Sequence, residues 1–537
     1  MDIPAWCEWR RGRTAVLLVA PHGGRRPRVD IAALPAHLRV NDLYTAEVTR
    51  ELADRLAAGV VINATHDRNR LDLNRTSQIL RRAPWFLELL LEEIGALVAR
   101  HGSAEVVWVH GWNTGQAKCD IGIGAVEVDG TLRVPHGAGQ TVSEGYLDGR
   151  VAALRAACAA EEISAPIGER YPGCHHNNVL QLFSAREPVV ENAALRQIAA
   201  WARDGRLNAL QLELGIPLRW PGRWRDRFVA AVERAFGEQT GSSLDRTVPA
   251  WSTRSRSEPP APSATASEPR HPALQFYDPA ADVGMFAGVG RMGPRSTAGR
   301  LLLFLGGQRV ALFTGEDVHA RGARVAPLEF VEEGGALRLR FTGSMLLLED
   351  GAEYLDLEAA LAASELTEGQ VDLEFQAAAQ GSAAGGIEFG SVAGSVRVGT
   401  RGCRVGAAAF ARAAGLRASG LGVQTMIAAA FGTQRAVLAR SAEEGALPLA
   451  ICFEGATAQP LNGTRIAVST DGDAYTPATI ELVCDECAPV LGRSLSRMVI
   501  LRPTGHGQYL RVTFGVARFR WADLDGYGLY EHARPVA

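Results

Sequence analysis

The sequence predicts two domains of different class: an α/β domain with a mixed sheet flanked by helices, then an all-β domain built as a sandwich or as barrels. A chain of 537 residues exceeds the size at which one hydrophobic core usually keeps growing. Up to about Glu238, short apolar runs alternate with amphipathic helical patterns, the signature of a largely parallel or mixed sheet covered by helices. Beyond a Pro- and Ser-rich stretch the pattern turns Gly-rich and alternating, with few helical stripes. The expected divisions are residues 1–238, a linker over 239–272, and 273–537.

In the first division, strands are expected over 14–20 (TAVLLVA), 60–64, 105–109 (EVVWV) and 208–214 (NALQLEL). Helices are expected over 42–56, 84–100, 147–160, 191–202 and 223–236, with Leu43, Val48, Leu52 and Leu56 forming one stripe of the first. Three strands end at residues with chemical side chains, His22, His110 and Glu213. Ligands of open α/β sheets bind outside the carboxyl ends of the strands, so these three are expected to converge in one cleft. The linker contains RSRSEPPAPSATASEP and has too few large apolar side chains to order itself. In the last division, alternation over 300–304, 336–341, 371–375 and 510–519 predicts strands. The Ala-rich stretches 407–418 and 442–450 fit neither pattern, and no strict internal repeat is present.

Hydrophobic residues at 47% and charged residues at 21% match ordinary soluble globular protein, and no apolar run approaches the roughly 20 residues that span a bilayer. No membrane span is expected. The N-terminus meets an acid at once, and its apolar stretch over 15–20 is too short and strand-like for a signal peptide, which places the protein in the cytoplasm. Eight cysteines scattered along a long chain do not make the disulfide framework of a small secreted domain, so reduced thiols are expected. Cys484 and Cys487 form a C-x-x-C, but no second Cys or His pair stands at zinc-ribbon spacing to complete a structural metal site. Net charge is −3, and Lys118 is the single lysine, so almost all positive charge is arginine. No block of arginine lacks neighbouring acids for long, which argues against a nucleic-acid partner.

Val19-Ala-Pro-His22-Gly-Gly24 sets a histidine on a Pro/Gly turn directly after a buried strand, offering its imidazole at the sheet rim. Val109-His110-Gly111 repeats the arrangement. Either alone reads as a turn histidine; two at equivalent strand ends point to a metal. A catalytic zinc commonly takes three protein ligands at ~2.0–2.2 Å and keeps one position for water, so a carboxylate is wanted. Asp42, expected at a helix start, is the first candidate, with Asp30 and Glu47 as substitutes. Its competing role is the helix N-cap. Asp67-Arg-Asn-Arg-Leu-Asp-Leu-Asn-Arg75 follows the next strand. Charge this dense is commonly a solvated loop, yet an arginine fork holds a carboxylate through two hydrogen bonds, which suits a substrate acid beside a metal.

His22 in Pro-His-Gly-Gly, Asp42, Arg68 followed by Asp72-Leu-Asn-Arg75, His110, and Leu210-Gln-Leu-Glu213-Leu resemble, in this order, the N-formylglutamate amidohydrolase family. The resemblance covers roughly residues 10–238, under half of the chain. It implies a phosphorylase/hydrolase-like α/β fold similar to that of zinc carboxypeptidases and aspartoacylase. It further implies Zn2+ held by His22, His110 and Asp42, with a water in the open position. Glu213 would take the proton of that water and pass it to the leaving amine, and Arg68 would stabilise the oxyanion. Asn74 and Arg75 would clamp the substrate carboxylate. The implied reaction is hydrolysis of the amide of an N-acyl amino acid or related small acid. Glu213 read without the resemblance is a strand-end glutamate facing solvent, an orientation at odds with Leu212 and Leu214 beside it.

The chain departs from this pattern in two places. Where the family carries an acid two places before the second histidine stands Trp108, which changes what orients His110. The family's Gly-Gly-Tyr/Phe-type loop is replaced by Tyr171-Pro-Gly-Cys-His175-His176-Asn177-Asn178. There His175, His176 and Asn178 are expected to contact substrate and to move specificity away from formylglutamate; a solvated His175-His176 loop is the alternative. Trp108 also supports a second reading, a protein that keeps the cleft and binds zinc or an acidic ligand without turnover. In the β division, Phe276-Tyr-Asp-Pro279 with Gly284, and Asp525-Gly-Tyr-Gly-Leu-Tyr-Glu531-His, resemble the paired lipocalin-type barrels of carotenoid hydratases. That resemblance implies an apolar ligand in a barrel mouth.

Overall fold

The computed structural model describes residues 2–25, 39–188, 192–237, 272–291, 296–317, 323–378, 387–411, 424–433, 435–441, 449–454, 457–470, 477–485, 487–503 and 509–535. Asp30 and almost all of the expected linker lie outside the described residues. The described residues fall into two compact units, one ending at 237 and one beginning at 272.

The strands of the first unit are β1 (Cys7–Arg10), β2 (Val16–Ala20), β3 (Gly59–Asn63), β4 (Ala104–Gly111), β5 (Cys119–Gly122), β6 (Val126–Val128), β7 (Thr131–Arg133) and β8 (Leu207–Leu214). Six of them form one sheet in the order β1-β3-β2-β4-β8-β5, while β6 and β7 pair with each other as a two-stranded sheet. β3, β2, β4 and β8 run parallel, and β1 and β5 finish the edges antiparallel. β2, β3 and β8 are buried at every residue, because a parallel strand covered on both faces has no side left for polar groups.

The covering helices are α1 (Thr45–Leu56), α2 (Thr76–Arg82), α3 (Pro84–His101), α4 (Ala152–Ala160), α5 (Ala193–Arg203) and α6 (Arg223–Gly237). One core holds Val48, Leu52 and Leu56 of α1 with Leu154 of α4 and Phe228 and Val232 of α6. The other holds Phe86 and Leu90 of α3 with Leu195 and Ile198 of α5. The expected stripe Leu43, Val48, Leu52 and Leu56 is buried throughout. The helix expected over 147–160 opens instead with a π-helical turn, Leu147–Val151. β1, β5 and α2 have no counterpart among the expected elements: β1 is an edge strand with one buried residue in four, and β5 is only four residues long.

The second unit is all β. Strands β9 (Ala273–Asp278), β10 (Val283–Arg291), β11 (Thr297–Phe304), β12 (Val310–Asp317), β13 (Arg324–Val325), β14 (Leu328–Glu333), β15 (Ala336–Leu348), β16 (Glu365–Ala377), β17 (Glu388–Val398) and β18 (Arg401–Ala411) form an antiparallel sheet. A second pairing between β12 and β15 closes eight of them into a barrel around Phe276, Met285, Phe313, Phe341 and Phe375. Strands β19 (Gln424–Phe431), β20 (Arg435–Arg440), β21 (Leu449–Glu454), β22 (Thr457–Pro460), β23 (Arg465–Thr470), β24 (Pro477–Cys484), β25 (Cys487–Pro503), β26 (Tyr509–Trp521) and β27 (Leu524–Pro535) form an open half-barrel. The Ala-rich stretches left unassigned on sequence fall in β18 and β21 as far as they are described.

The expectation of reduced thiols is corrected at one pair. The β24–β25 ladder sets Cys484 opposite Cys487, with Cα atoms 5.8 Å apart, and the two form a disulfide. The other six cysteines are free. No helix among the described residues is long and apolar enough to cross a membrane.

Candidate metal centre

The chain leaves β2 for β3 on one side and returns past β2 to β4 on the other. Such a reversal opens a crevice at the carboxyl ends of the two strands. His22 lies just past the end of β2 and His110 near the end of β4, with ring centroids 5.0 Å apart. Asp42 reaches them from the segment ahead of α1. It is not the N-cap, because the helix begins at Thr45 and the capping position is Tyr44, in a left-handed backbone (φ 65°). Instead the Asp42 N–H donates to the His22 carbonyl at 2.9 Å, and the Thr45 hydroxyl donates to the Asp42 carbonyl at 2.6 Å. Asp42 Oδ2 then stands 3.1 Å from His22 Nδ1 and 3.4 Å from His110 Nδ1. The three ligand-type atoms lie within 4.8 Å of one another, and all three residues are buried.

The chemistry of this donor set fits a cation. His22 Nε2 lies 2.8 Å from Asp72 Oδ1. An imidazole that donates there has a lone pair on Nδ1, which faces the lone pairs of Asp42 Oδ2 across 3.1 Å. Two buried acceptors face to face repel unless a proton or a cation stands between them. Two imidazoles and a carboxylate suit zinc, whose bonds of about 2.0–2.2 Å set neighbouring donors about 3–3.5 Å apart.

The electrostatics follow from burial and arginine. Burial alone would raise the Asp42 carboxyl, but Arg68 and the two histidines hold it well below the usual carboxylate range. Asp72 behaves likewise, lowered against its burial by His22, Arg68 and Arg75. Burial pushes the His110 imidazole down to about 4. Arg68 Nη1 donates to Asp42 Oδ1 at 3.0 Å and to the Val40 carbonyl at 3.2 Å. Glu213 sits in register between His110 on β4 and Asp120 on β5. It is 7% exposed, so it does not face solvent; burial, with the charges of Asp42 and Asp120, raises its carboxyl well above the usual range.

A cleft of about 370 Å³ is lined by His22, Asp42, Arg68, Asn74, Arg75, His110, His175, Asn178 and Glu213, together with Gln211 and residues 170–174. His176 is exposed and stacks on His175, with centroids 4.3 Å apart, outside the cleft. Asn178 caps the 3-10 turn Val179–Phe183, its Oδ1 accepting the Leu180 N–H at 2.8 Å. Glu47 lies in the first turn of α1, apart from the ligand cluster.

Several residues of the site carry no role in the sequence reading. Asp72 accepts from Arg39 at 2.7 Å as well as meeting His22. Asp120 accepts the backbone N–H groups of Glu169, Arg170 and Tyr171. Arg219 is 0% exposed and donates to the carbonyls of Leu43 and Trp112 at 2.7 and 3.1 Å. A Cβ on Gly111 would lie 2.4 Å from Arg219 Nη1, so only glycine lets this arginine pass beneath the His110 turn. Trp108 packs between Phe86 and Phe183, and both its Nε1 and His110 Nε2 are buried without a hydrogen-bond partner among the described residues.

The fold and the cluster thus define an α/β unit with a candidate metal centre at its strand ends, in one chain with an all-β unit. No protein-family model matches the chain, and no curated protein matches it. Among solved structures, the chain is similar to N-formylglutamate amidohydrolase from Ralstonia eutropha JMP134, with TM-score 0.30 and 15% identity over 43% of this chain and 97% of that one. It is also similar to kievitone hydratase from Nectria haematococca, with TM-score 0.35 and 11% identity over 49% of this chain and 88% of that one. Both likenesses are weak and concern the fold alone.

Proposed function

We propose that the first unit is a zinc-dependent amidohydrolase acting on the amide of an N-acyl amino acid or related small acid. One observation carries this: His22, Asp42 and His110 come from three separate segments and bring their ligand atoms within 4.8 Å of one another in a cleft lined by arginine. Bound zinc supplies Lewis acidity toward a carbonyl and a water. The remaining tasks fall to the chain's own side chains. Arg68 offers a guanidinium where negative charge develops on the amide oxygen. Asn74 and Arg75 present donors to the substrate carboxylate. Glu213, buried in register with His110, accepts the proton of the attacking water as its carboxylate and releases it to the leaving nitrogen. One C–O bond forms, the C–N bond breaks, and an acid and an amine leave.

Metal analysis is expected to find about one zinc per chain, the number that a three-ligand site holds, and a chelator is expected to abolish hydrolysis. Glu213→Gln is expected to retain the metal and to lose about 10²–10⁴-fold in kcat. Full activity in that variant refutes the mechanism.

The unpartnered His110 Nε2 favours a second reading, because a ligating histidine ordinarily donates its other nitrogen to an orienting group. On that reading the unit binds zinc or an acidic ligand without turnover. Saturable hydrolysis that depends on His22 removes it. For the second unit, the apolar barrel interior supports an apolar-ligand role. Solvent extraction of the purified protein that yields no lipid or isoprenoid counts against that role.

A further inference from the structure

We infer that the acyl group of the substrate carries a hydrogen-bond donor and that Gln211 reads it; the inference rests on the amidohydrolase reading of the cleft. Gln211 stands on β8 two residues before Glu213, so both side chains leave the same face of that strand. It is 2% exposed and lines the cleft. Its Nε2 donates to the Tyr171 carbonyl at 2.8 Å. A carbonyl only accepts, so the amide has one possible orientation and Oε1 is turned away from Tyr171. Tyr171 is itself held: Asp120, 0% exposed, accepts the N–H groups of Glu169, Arg170 and Tyr171 at 2.9, 2.7 and 2.6 Å. Among the described residues, Gln211 Oε1 is left buried with no hydrogen-bond partner. Orphaned buried acceptors are rare and costly, and a donor that the ligand brings would satisfy this one. The backbone makes room for this side chain, since a Cβ on Gly122 would lie 2.5 Å from Gln211 Cγ.

Strand order assigns the donor to the acyl end. Asn74 and Arg75 lie on the loop after β3, with Arg75 Nε 3.6 Å from Asp72 on the Nε2 side of His22, and Gln211 lies on β8, beyond β2 and β4 in the strand order. The metal ligands His22 and His110, at the ends of β2 and β4, lie between them. A substrate carboxylate on Arg75 therefore sends the acyl group across the metal centre toward Gln211. The favoured acyl group has an O–H or N–H beside the carbonyl, as in glycoloyl, over one of equal size without it, as in propionyl.

The test gives zinc-loaded protein a matched pair, an N-glycoloyl and an N-propionyl amino acid, with rates divided by their base-catalysed rates. The expected kcat/KM favours glycoloyl by on the order of 10–100-fold. In Gln211→Met the ratio is expected to fall to about one, the acceptor having gone. Equal wild-type rates, or a ratio unchanged in the variant, overturn the inference; should the variant fail to fold, the wild-type ratio decides. If neither amide is turned over, the amidohydrolase reading fails instead. The Gln211 assignment is then decided by titrating glycolate and propionate into the zinc-loaded wild type and Gln211→Met: a glycolate preference that the variant loses supports it, and equal wild-type affinities or a preference that the variant keeps overturn it.

Discussion

Asp72 ties the candidate centre to the loop beside it. Its carboxylate is 1% exposed and meets His22 Nε2, Arg39 Nη1 and the Asn74 N–H, so it fixes both the ring plane of His22 and the loop that carries Asn74 and Arg75. Asp72→Asn is expected to weaken zinc binding by about 10–100-fold, measured by competition with a chelator. An unchanged affinity would show that His22 orients itself. At this scale the sequence was informative where chemistry follows an apolar run: His22, His110 and Glu213 stand at or just beyond the ends of buried strands, where the alternation of apolar runs and helices locates them. Asp42 was found for its carboxylate and its place near α1, but its geometry comes from a bond to the His22 carbonyl that no local pattern encodes. Asp120 and Arg219 were not legible, since burial of a lone charged residue is settled only by the tertiary fold.

Individual strands and helices were read well where both faces are buried and poorly at edges. β2 and β8 read as unbroken apolar runs, whereas β1 pairs along one side only and exposes three of its four residues. In the half-barrel, β27 carries His532, 3% exposed, whose Nδ1 lies 2.9 Å from the Thr425 hydroxyl on β19. Burial, helped by Arg534, pushes this imidazole down from 6.5 to about 4. The unfolded chain therefore binds the extra proton more readily, so this contribution to stability is complete above pH 6.5 and is lost as pH falls toward about 4. The loss is on the order of 3 kcal/mol. His532→Gln should lose less stability than the wild type between about pH 7 and about pH 4.5 in urea unfolding. An equal loss in both proteins would exclude His532 as the source.

The whole chain carries separate apolar cores in its two units, and every residue that lines the metal cleft belongs to the first. Calorimetry is accordingly expected to resolve two transitions, of which zinc raises one, by about 2.7 kcal/mol when free metal stands at 100 times its Kd. A single transition that moves as a whole with zinc would contradict this. The sequence could announce an all-β second unit but not choose sandwich or barrel, because alternation looks alike in both. Closure rests on the pairing of Val310–Leu312 with Leu346–Leu348, which is set by the folded sheet and not by neighbours in sequence.

The half-barrel has no such closure. β22 and β23 stand at opposite ends of its strand order although only residues 461–464 separate them in the chain. Among the described residues, each keeps one flank of amide and carbonyl groups that no neighbouring strand occupies, with Pro460 ending one and Arg465 opening the other as partial guards. A crowded solution would therefore test these two borders first: intermolecular zippering should start from them and leave the cleft of the first unit untouched.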